Sequence, residues 1–192
     1  MNFLGHLYFS NNDKDLMLSN LYGDFVKGKD YSNYPEIVQK GIHLHRSIDY
    51  FIDTHLAVTD LRLSLYDKLP KVAGIAIDLY FDHLLARNWE KFHSKDYNDF
   101  LDEFYSHQAM FETELKSEFT EFMGYFRTRK WLDHYPSSYG LQKSCEGVSK
   151  RISFANKLHE APTLFYEREQ EIETCFEVYM KDAIEKFQLI NK

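Results

Sequence analysis

The chain has 192 residues, a net charge of −7 and 44% hydrophobic residues. This length suits one domain with a substantial core, and the acidic balance argues against nucleic-acid binding, which needs a basic footprint. No apolar run approaches the roughly 20 residues of a membrane span, and residues 1–7 lack the features of a signal peptide. Only Cys145 and Cys175 are present, so we expect a reduced, cytoplasmic protein. We also expect no membrane partner, because the chain lacks a long apolar run.

Helical patterns dominate the chain in order. The eight glycines include no Asn-Gly or Asp-Gly hairpin signal. Each proline lies where a helix could begin, since its missing N–H costs nothing in a first turn; these are Pro35, Pro70, Pro136 and Pro162. Apolar residues recur at helical spacing in four segments, namely residues 37–52, 72–85, 96–127 and 164–187. We therefore predict an all-α fold, a single compact helical domain over residues 1–192.

Acids and histidines recur every four residues in two of these segments. His45, Asp49 and Asp53 share one helical stripe, and Asp78 and Asp82 share another. Clustered acids repel one another unless a cation or a shared proton offsets their charge. Because apolar residues flank both stripes, a metal or catalytic site is the first hypothesis. A solvated helix surface is the alternative, and the spacing names no substrate.

The candidate residues combine carboxylates with imidazoles, a mixture that suits Mn²⁺, Fe²⁺ or Mg²⁺. A divalent ion could support hydrolysis of a phosphate ester by acidifying water. Asp82 and His83 are adjacent, so they can share a site only at a helix edge between packed helices. The full candidate set is Asp24, His45, Asp49, Asp53, Asp78, Asp82 and His83.

Four blocks of sequence occur in the order of a known family's motifs. They are Met1–Leu7 (MNFLGHL, with Gly5 where alanine is usual), Asn20–Gly28 (NLYGDFVKG), Gly41–Asp53 (GIHLHRSIDYFID) and Asp78–Ala86 (DLYFDHLLA). In these blocks the chain resembles the acyl carrier protein phosphodiesterases, bacterial enzymes related to the HD-domain metal phosphohydrolases. The resemblance implies a distorted HD-domain-like fold, since Arg46 follows His45 and Asp82 precedes His83, leaving no His-Asp dyad.

The resemblance also implies an activity. Such enzymes hydrolyse the 4′-phosphopantetheine arm from the serine of holo-acyl carrier protein, giving the apo form, with Mn²⁺ favoured over Mg²⁺ or Fe²⁺. The implied metal ligands are Asp24, His45, Asp78, Asp82 and His83. The implied catalytic residues are His45, Arg46, Asp49 and His83. For Arg46, a phosphate contact and an ion pair with Asp49 or Asp53 are both open.

Three further residues of the matched blocks, His6, Asn20 and His55, are expected only to orient their neighbours. The protein substrate is strongly acidic, so docking requires a local basic surface. The implied partner-binding residues are Lys27, Arg127, Arg129, Lys130 and Arg151, with Lys29 and Lys150 beside them. These charges also suit helix ends, which is the alternative reading.

Two other functions stay open from sequence. The first is an HD-type phosphohydrolase acting on a nucleotide or another small phosphate ester. The second is a helical module that binds carrier protein without turnover. The sequence does not specify an oligomeric state.

Overall fold

The computed structural model describes the backbone of residues 1–190 and the side chains of residues 1–187. Over that range the fold is all-α, as predicted, with no β-strand. The α-helices are α1 (Phe3–Tyr8), α2 (Lys14–Tyr22), α3 (Glu36–Thr54), α4 (Leu56–Leu65), α5 (Ala73–Arg87), α6 (Trp89–Phe92), α7 (Tyr97–Ser106), α8 (Ser117–Arg129), α9 (Ser138–Arg151), α10 (Ala161–Glu167) and α11 (Glu169–Ile190). Short 3-10 helices span Gly23–Phe25, Met110–Glu114, Trp131–His134 and Leu158–Glu160.

The prolines mark helix starts, as predicted. Pro35 immediately precedes α3, and Pro162 lies in the first turn of α10. Pro136 precedes Ser137, whose hydroxyl accepts the Gly140 N–H and caps α9. After Pro70 the helix is delayed to Ala73, because Lys71 adopts a left-handed backbone with φ of +66° that cannot start an α-helix.

Two of the predicted helical segments are each divided in two. Residues 96–127 form α7 and α8 with a loop between them. In that loop Phe111 and Leu115 are buried, and the Arg127 guanidinium donates to the Glu112 carboxylate and the His107 carbonyl. Burial and these bonds stabilise this interruption of the α-helix, which contains the 3-10 helix Met110–Glu114. Residues 164–187 are divided at Arg168, whose φ of −125° ends α10 before α11 begins.

The buried apolar side chains form one continuous core with α5 at its centre. Helix α5 contacts α1, α4, α9 and α11, while α2 packs along α3 and contacts α1. The close approach of α2 to α3 depends on Gly41, where a Cβ would lie 2.3 Å from the Cβ of Ser19. Helix α1 therefore lies against both α2 and α5, and this arrangement positions the site.

Within the described residues, no helix has both the length and the apolar character needed to cross a bilayer. Cys145 and Cys175 are both buried and unpaired.

Candidate metal centre

The acids of α5 bind the N-terminal segment. The Asp82 carboxylate accepts hydrogen bonds from the Leu4 and Gly5 amides at 2.7 and 3.1 Å. These amides belong to the first turn of α1, where backbone N–H groups lack helical partners. The Met1 ammonium lies 3.0 Å from Asp78 Oδ1. The α5 stripe thus fixes the start of α1 and, through it, the position of His6.

His6 is held in one tautomer by a buried hydrogen-bond network. Asn20 Nδ2 donates to the His6 carbonyl and to the Ser10 hydroxyl, which itself donates to the same carbonyl. The remaining amide oxygen of Asn20 faces His6 Nδ1 at 2.9 Å. Because only an acceptor is available there, Nδ1 carries the proton. The Nε2 lone pair of neutral His6 is therefore free to bind a cation.

His45 faces the His6 ring and has two carboxylates, those of Asp49 and Asp24, beside it. On α3, His45 Nε2 lies 3.2 Å from Asp49 Oδ2, one helical turn away. The same nitrogen lies 3.2 Å from Asp24 Oδ1, in the 3-10 helix after α2. Gly23 allows this approach, since a Cβ there would lie 2.4 Å from His45 Cγ. The sequence stripe and an acid from a distant element therefore meet at one imidazole.

The cluster has the donor set of a metal centre. Ligand atoms of His6, His45 and Asp49 all lie within 4.8 Å of one another. In the neutral tautomer, His6 Nε2 faces Asp49 Oδ1 at 3.3 Å and the Met1 carbonyl at 3.1 Å, with no proton between them. Acceptors this close are stabilised by a proton or a metal ion among them, and two imidazoles with carboxylates suit Mn²⁺ or Fe²⁺. The residues present fit a divalent metal.

The electrostatics agree with that fit. Burial opposes a charged His45, yet its hydrogen bonds to Asp24 and Asp49 raise the pKa of His45 to about 9. Burial likewise opposes a charged Asp49, but His45 and His6 hold the pKa of Asp49 well below its usual range. The carboxylates of Asp24 and Asp49 thus keep His45 protonated and positively charged. A divalent ion would replace that proton, as metal binding requires.

The centre opens into a cleft of about 410 Å³, here called the acidic cleft. Its walls include His6, Asp24, Asp49, Asp78 and Arg151. The Asp49 side chain is 45% exposed, so the cleft gives solvent and ligands access to the centre. His6 and Asp49, two of the candidate ligands, thus line an open cleft.

A family model described as acyl carrier protein phosphodiesterase matches residues 1–183. The chain belongs to this family. Relatives named acyl carrier protein phosphodiesterase occur in Salmonella agona (strain SL483) and Salmonella newport (strain SL254). Each is 30% identical to this chain over 153 residues, which are 79% of this chain and 79% of the relative. No solved structure matches the chain. The predicted family is confirmed, and the protein is an enzyme of the acyl carrier protein phosphodiesterase family.

In this member of the family, the structure separates some residues that the sequence grouped together. His83 is buried with Nδ1 at 2.7 Å from the Tyr135 carbonyl, and its ring meets the edge of Phe165. It therefore contacts residues other than the His6–His45 pair. Asp53 is exposed and faces Arg62 at 3.7 Å. His83 does not line the acidic cleft, whereas Asp53 lines it without joining the ligand atoms of His6, His45 and Asp49.

Arg46 does not form the ion pair that was one of its two expected contacts, and its phosphate contact stays a prediction. Its Nη2 donates to the Val26 and Gly28 carbonyls at 3.1 and 2.7 Å, and the guanidinium lies over the Tyr31 ring. The expected ion pair with Asp49 or Asp53 is wrong for the described residues, because these carbonyls bind the guanidinium instead. Arg46 fixes the loop that follows Asp24.

The predicted docking residues differ in their surroundings. Arg127 is largely buried against Glu112, and Lys130 pairs with Asp102 at 2.8 Å. Lys27, Arg129 and Arg151 are exposed. Lys130 is exposed as well but pairs with Asp102, so Lys27, Arg129 and Arg151 are the predicted docking residues without an acidic partner among the described residues.

His6 has a more central position in the structure than the sequence predicts. The sequence predicts only an orienting role for it, whereas its Nε2 points at Asp49 beside His45. The sequence feature that could have identified His6 is its place in the first motif block. Helical spacing could not do so, because His6 and the residues of α3 belong to different helices. Asn20 does orient a neighbour, namely His6. His55 contacts Asp182 at 3.2 Å, outside the cluster.

Proposed function

We propose that His6, His45, Asp49 and Asp24 hold a divalent metal and that the protein removes the 4′-phosphopantetheine arm from holo-acyl carrier protein. The observation that carries this proposal is the convergence of two imidazole nitrogens and a carboxylate within 4.8 Å at the base of an open cleft. Mn²⁺ is the favoured ion, with Fe²⁺ or Mg²⁺ as alternatives, because the donors are nitrogen and oxygen without thiolate. Family membership supports the substrate.

The residues divide into binding and positioning roles. A metal bound here would acidify a water molecule and neutralise charge on the phosphoryl oxygens. Asp24 and Asp49 accept at the His45 side of the cleft, and His6 closes the opposite side. Asp78 and Asp82 act as positioning residues, because they hold the N-terminal segment that carries His6. His83 and Arg46 have no part in this proposal, since His83 does not line the acidic cleft and Arg46 binds the Val26 and Gly28 carbonyls.

The acidic carrier protein is expected to dock on exposed basic residues. Arg129 ends α8 and Arg151 ends α9, and both side chains are exposed. Lys27 lies in the loop after Asp24, near the cleft. Arg127 and Lys130 have acidic partners within the chain, so we assign docking to Lys27, Arg129 and Arg151. The unpaired cysteines fit the proposed cytoplasmic setting.

The test is a mass measurement on holo-acyl carrier protein incubated with the protein and Mn²⁺. We expect loss of the phosphopantetheine mass, and no loss when EDTA is present. The His6→Asn variant keeps a donor toward Asn20 while it removes Nε2, so it should be inactive, as should His45→Gln. The matched control is His43→Gln, an exposed histidine on the same helix, which should be active.

Other outcomes would contradict the proposal in distinguishable ways. Hydrolysis of nucleotides but not of holo-carrier protein would assign a small phosphate ester as substrate. Tight binding of metal and carrier protein without hydrolysis would assign a binding module. Full activity of His6→Asn would remove His6 from the centre.

A further inference from the structure

A second cavity, of about 630 Å³, adjoins the acidic cleft and shares part of its wall. Asn2, Phe3, Val148 and Arg151 line both cavities. Because four residues are common to both, the two cavities are adjacent at this junction. We call the second cavity the aromatic groove, after Phe3, Trp131 and Tyr139 in its lining. Its size falls within the range of small-molecule sites.

The aromatic groove presents ring surface that the core does not use. One part of Trp131 packs against Phe126, with centroids 5.9 Å apart, yet the residue is 39% exposed. Tyr139 is 58% exposed and meets the His134 ring at 5.7 Å. Large exposed aromatics gathered in a concave surface are typical of ligand sites. Ser144 adds a hydroxyl to the same lining.

Arg151 stands at the junction with its guanidinium uncommitted. Its side chain makes no hydrogen bond or ion pair within the part of the chain that the structure describes, whereas Arg127 is bidentate to Glu112. A guanidinium suits bidentate contact with phosphate. Arg151 therefore places a phosphate-binding group between the acidic cleft and the aromatic groove.

We propose that the aromatic groove binds the pantetheine arm while Arg151 contacts its phosphate. This inference rests on the proposed function, which sets the phosphodiester in the acidic cleft. The arm is a flexible chain of methyl, methylene and amide groups with a phosphate at one end. The site offers the matching order: metal donors, then a guanidinium, then aromatic rings with scattered polar groups. Adjacency to the acidic cleft and this complementarity favour the arm over a segment of the carrier protein.

The test measures binding without turnover. The protein is titrated with 4′-phosphopantetheine, pantetheine and inorganic phosphate, in EDTA and again with Mn²⁺, while tryptophan fluorescence is followed. Of the two tryptophans, Trp89 is buried and Trp131 is exposed to the groove, so a change reports on Trp131. Trp131→Phe should abolish the signal, and calorimetry should still detect binding to that variant.

Two groove variants and two controls make the test specific. Tyr139→Ala and Arg151→Gln should each weaken phosphopantetheine binding about tenfold, the size expected for losing a contact to a charged or aromatic group. Arg151→Gln should leave pantetheine binding unchanged, since pantetheine lacks the phosphate. Tyr125→Ala and Lys181→Gln remove an exposed ring and an exposed charge elsewhere and should bind as wild type.

The outcomes separate this inference from the proposed function. Phosphopantetheine binding that Tyr139→Ala weakens would support the groove even if no hydrolysis were seen. Hydrolysis with an unchanged KM in Tyr139→Ala and Arg151→Gln would overturn the groove and leave the activity intact. A loss of apo-carrier binding in Tyr139→Ala, with phosphopantetheine binding unchanged, would assign the groove to the carrier protein and overturn the inference.

Discussion

The imidazole of His6 stacks on that of His45, with ring centroids 4.2 Å apart and planes 15° apart. Two charged rings at this distance would repel each other. Burial lowers the pKa of His6, while Asp24 and Asp49 overcome burial and raise that of His45 to about 9. The stack therefore pairs a neutral ring with a charged one, and both rings direct Nε2 toward Asp49.

Loss of His6 Nε2 should weaken metal binding. In His6→Asn, titration calorimetry with Mn²⁺ should show affinity reduced by at least the roughly 10- to 100-fold that loss of a supporting residue costs. The reason is that a ligand atom is removed while the contact to Asn20 is kept. His43→Gln serves as the control and should bind Mn²⁺ as wild type. Equal affinities in His6→Asn and wild type would place the metal elsewhere.

Asp82→Ala should reduce stability whether or not metal is present. The substitution leaves the buried Leu4 and Gly5 amides without their acceptor. An unsatisfied buried donor costs about 1–3 kcal/mol, so urea unfolding in EDTA should show a loss of at least this size. The same experiment with Mn²⁺ decides between two roles. A loss seen only with Mn²⁺ would make Asp82 a metal ligand rather than the residue that holds α1.

Gly41→Ala should destabilise the protein by about 1–3 kcal/mol, the usual cost of overpacking. A Cβ at this position would lie 2.3 Å from Ser19 Cβ and 2.4 Å from the Ser19 carbonyl carbon, so α2 and α3 would separate. Gly124→Ala is the matched control, since that Cβ meets nothing within 4 Å on α8. It should gain about 0.5–1 kcal/mol through helix propensity. Chemical denaturation measures both, and equal stability changes would contradict the packing argument.

Turnover of holo-carrier protein should fall as salt rises. The kcat/KM should decline between about 50 and 200 mM salt, because screening weakens attraction between the acidic partner and exposed cations. Arg129→Gln should flatten that decline. Lys40→Gln removes the same charge from α3, where Lys40 pairs with Glu36, and should leave the decline unchanged. A salt-independent kcat/KM would argue against electrostatic docking.

The stability of the fold at acid pH should depend on the carboxylate of Glu103. Its oxygens lie 2.6 Å from Lys95 and 2.8 Å from Lys14, and these ammonium groups lower the pKa of Glu103 to about 2. A depressed pKa stabilises the fold above the unfolded value of about 4.3. That contribution is lost as pH falls toward 2. The Tm difference between wild type and Glu103→Gln should therefore be present at pH 7 and vanish near pH 2. Glu121→Gln, at an exposed glutamate without an ion pair among the described residues, serves as the matched control.

Much of the helical structure could be predicted from the local periodicity of the sequence. Helix α3 and the neighbourhood of His45 and Asp49 follow from a four-residue spacing, because one helical turn brings such residues together regardless of the rest of the fold. The four prolines marked helix starts for the same local reason. The motif blocks added Asp24 and the family, which periodicity does not contain.

Tertiary packing decided the rest. The contact of His6 with His45 depends on α1 lying against α2 and α5, which Asp82 secures by binding the α1 amides. The same packing turned Asp78 and Asp82 toward the N-terminal segment and separated His83 from the cluster. No spacing encodes these distances, since they arise from non-local burial of many side chains. Sequence alone thus predicted the side of the centre that carries His45 and Asp49. The packing of separate helices supplied the second imidazole, that of His6, and the aromatic groove beside it.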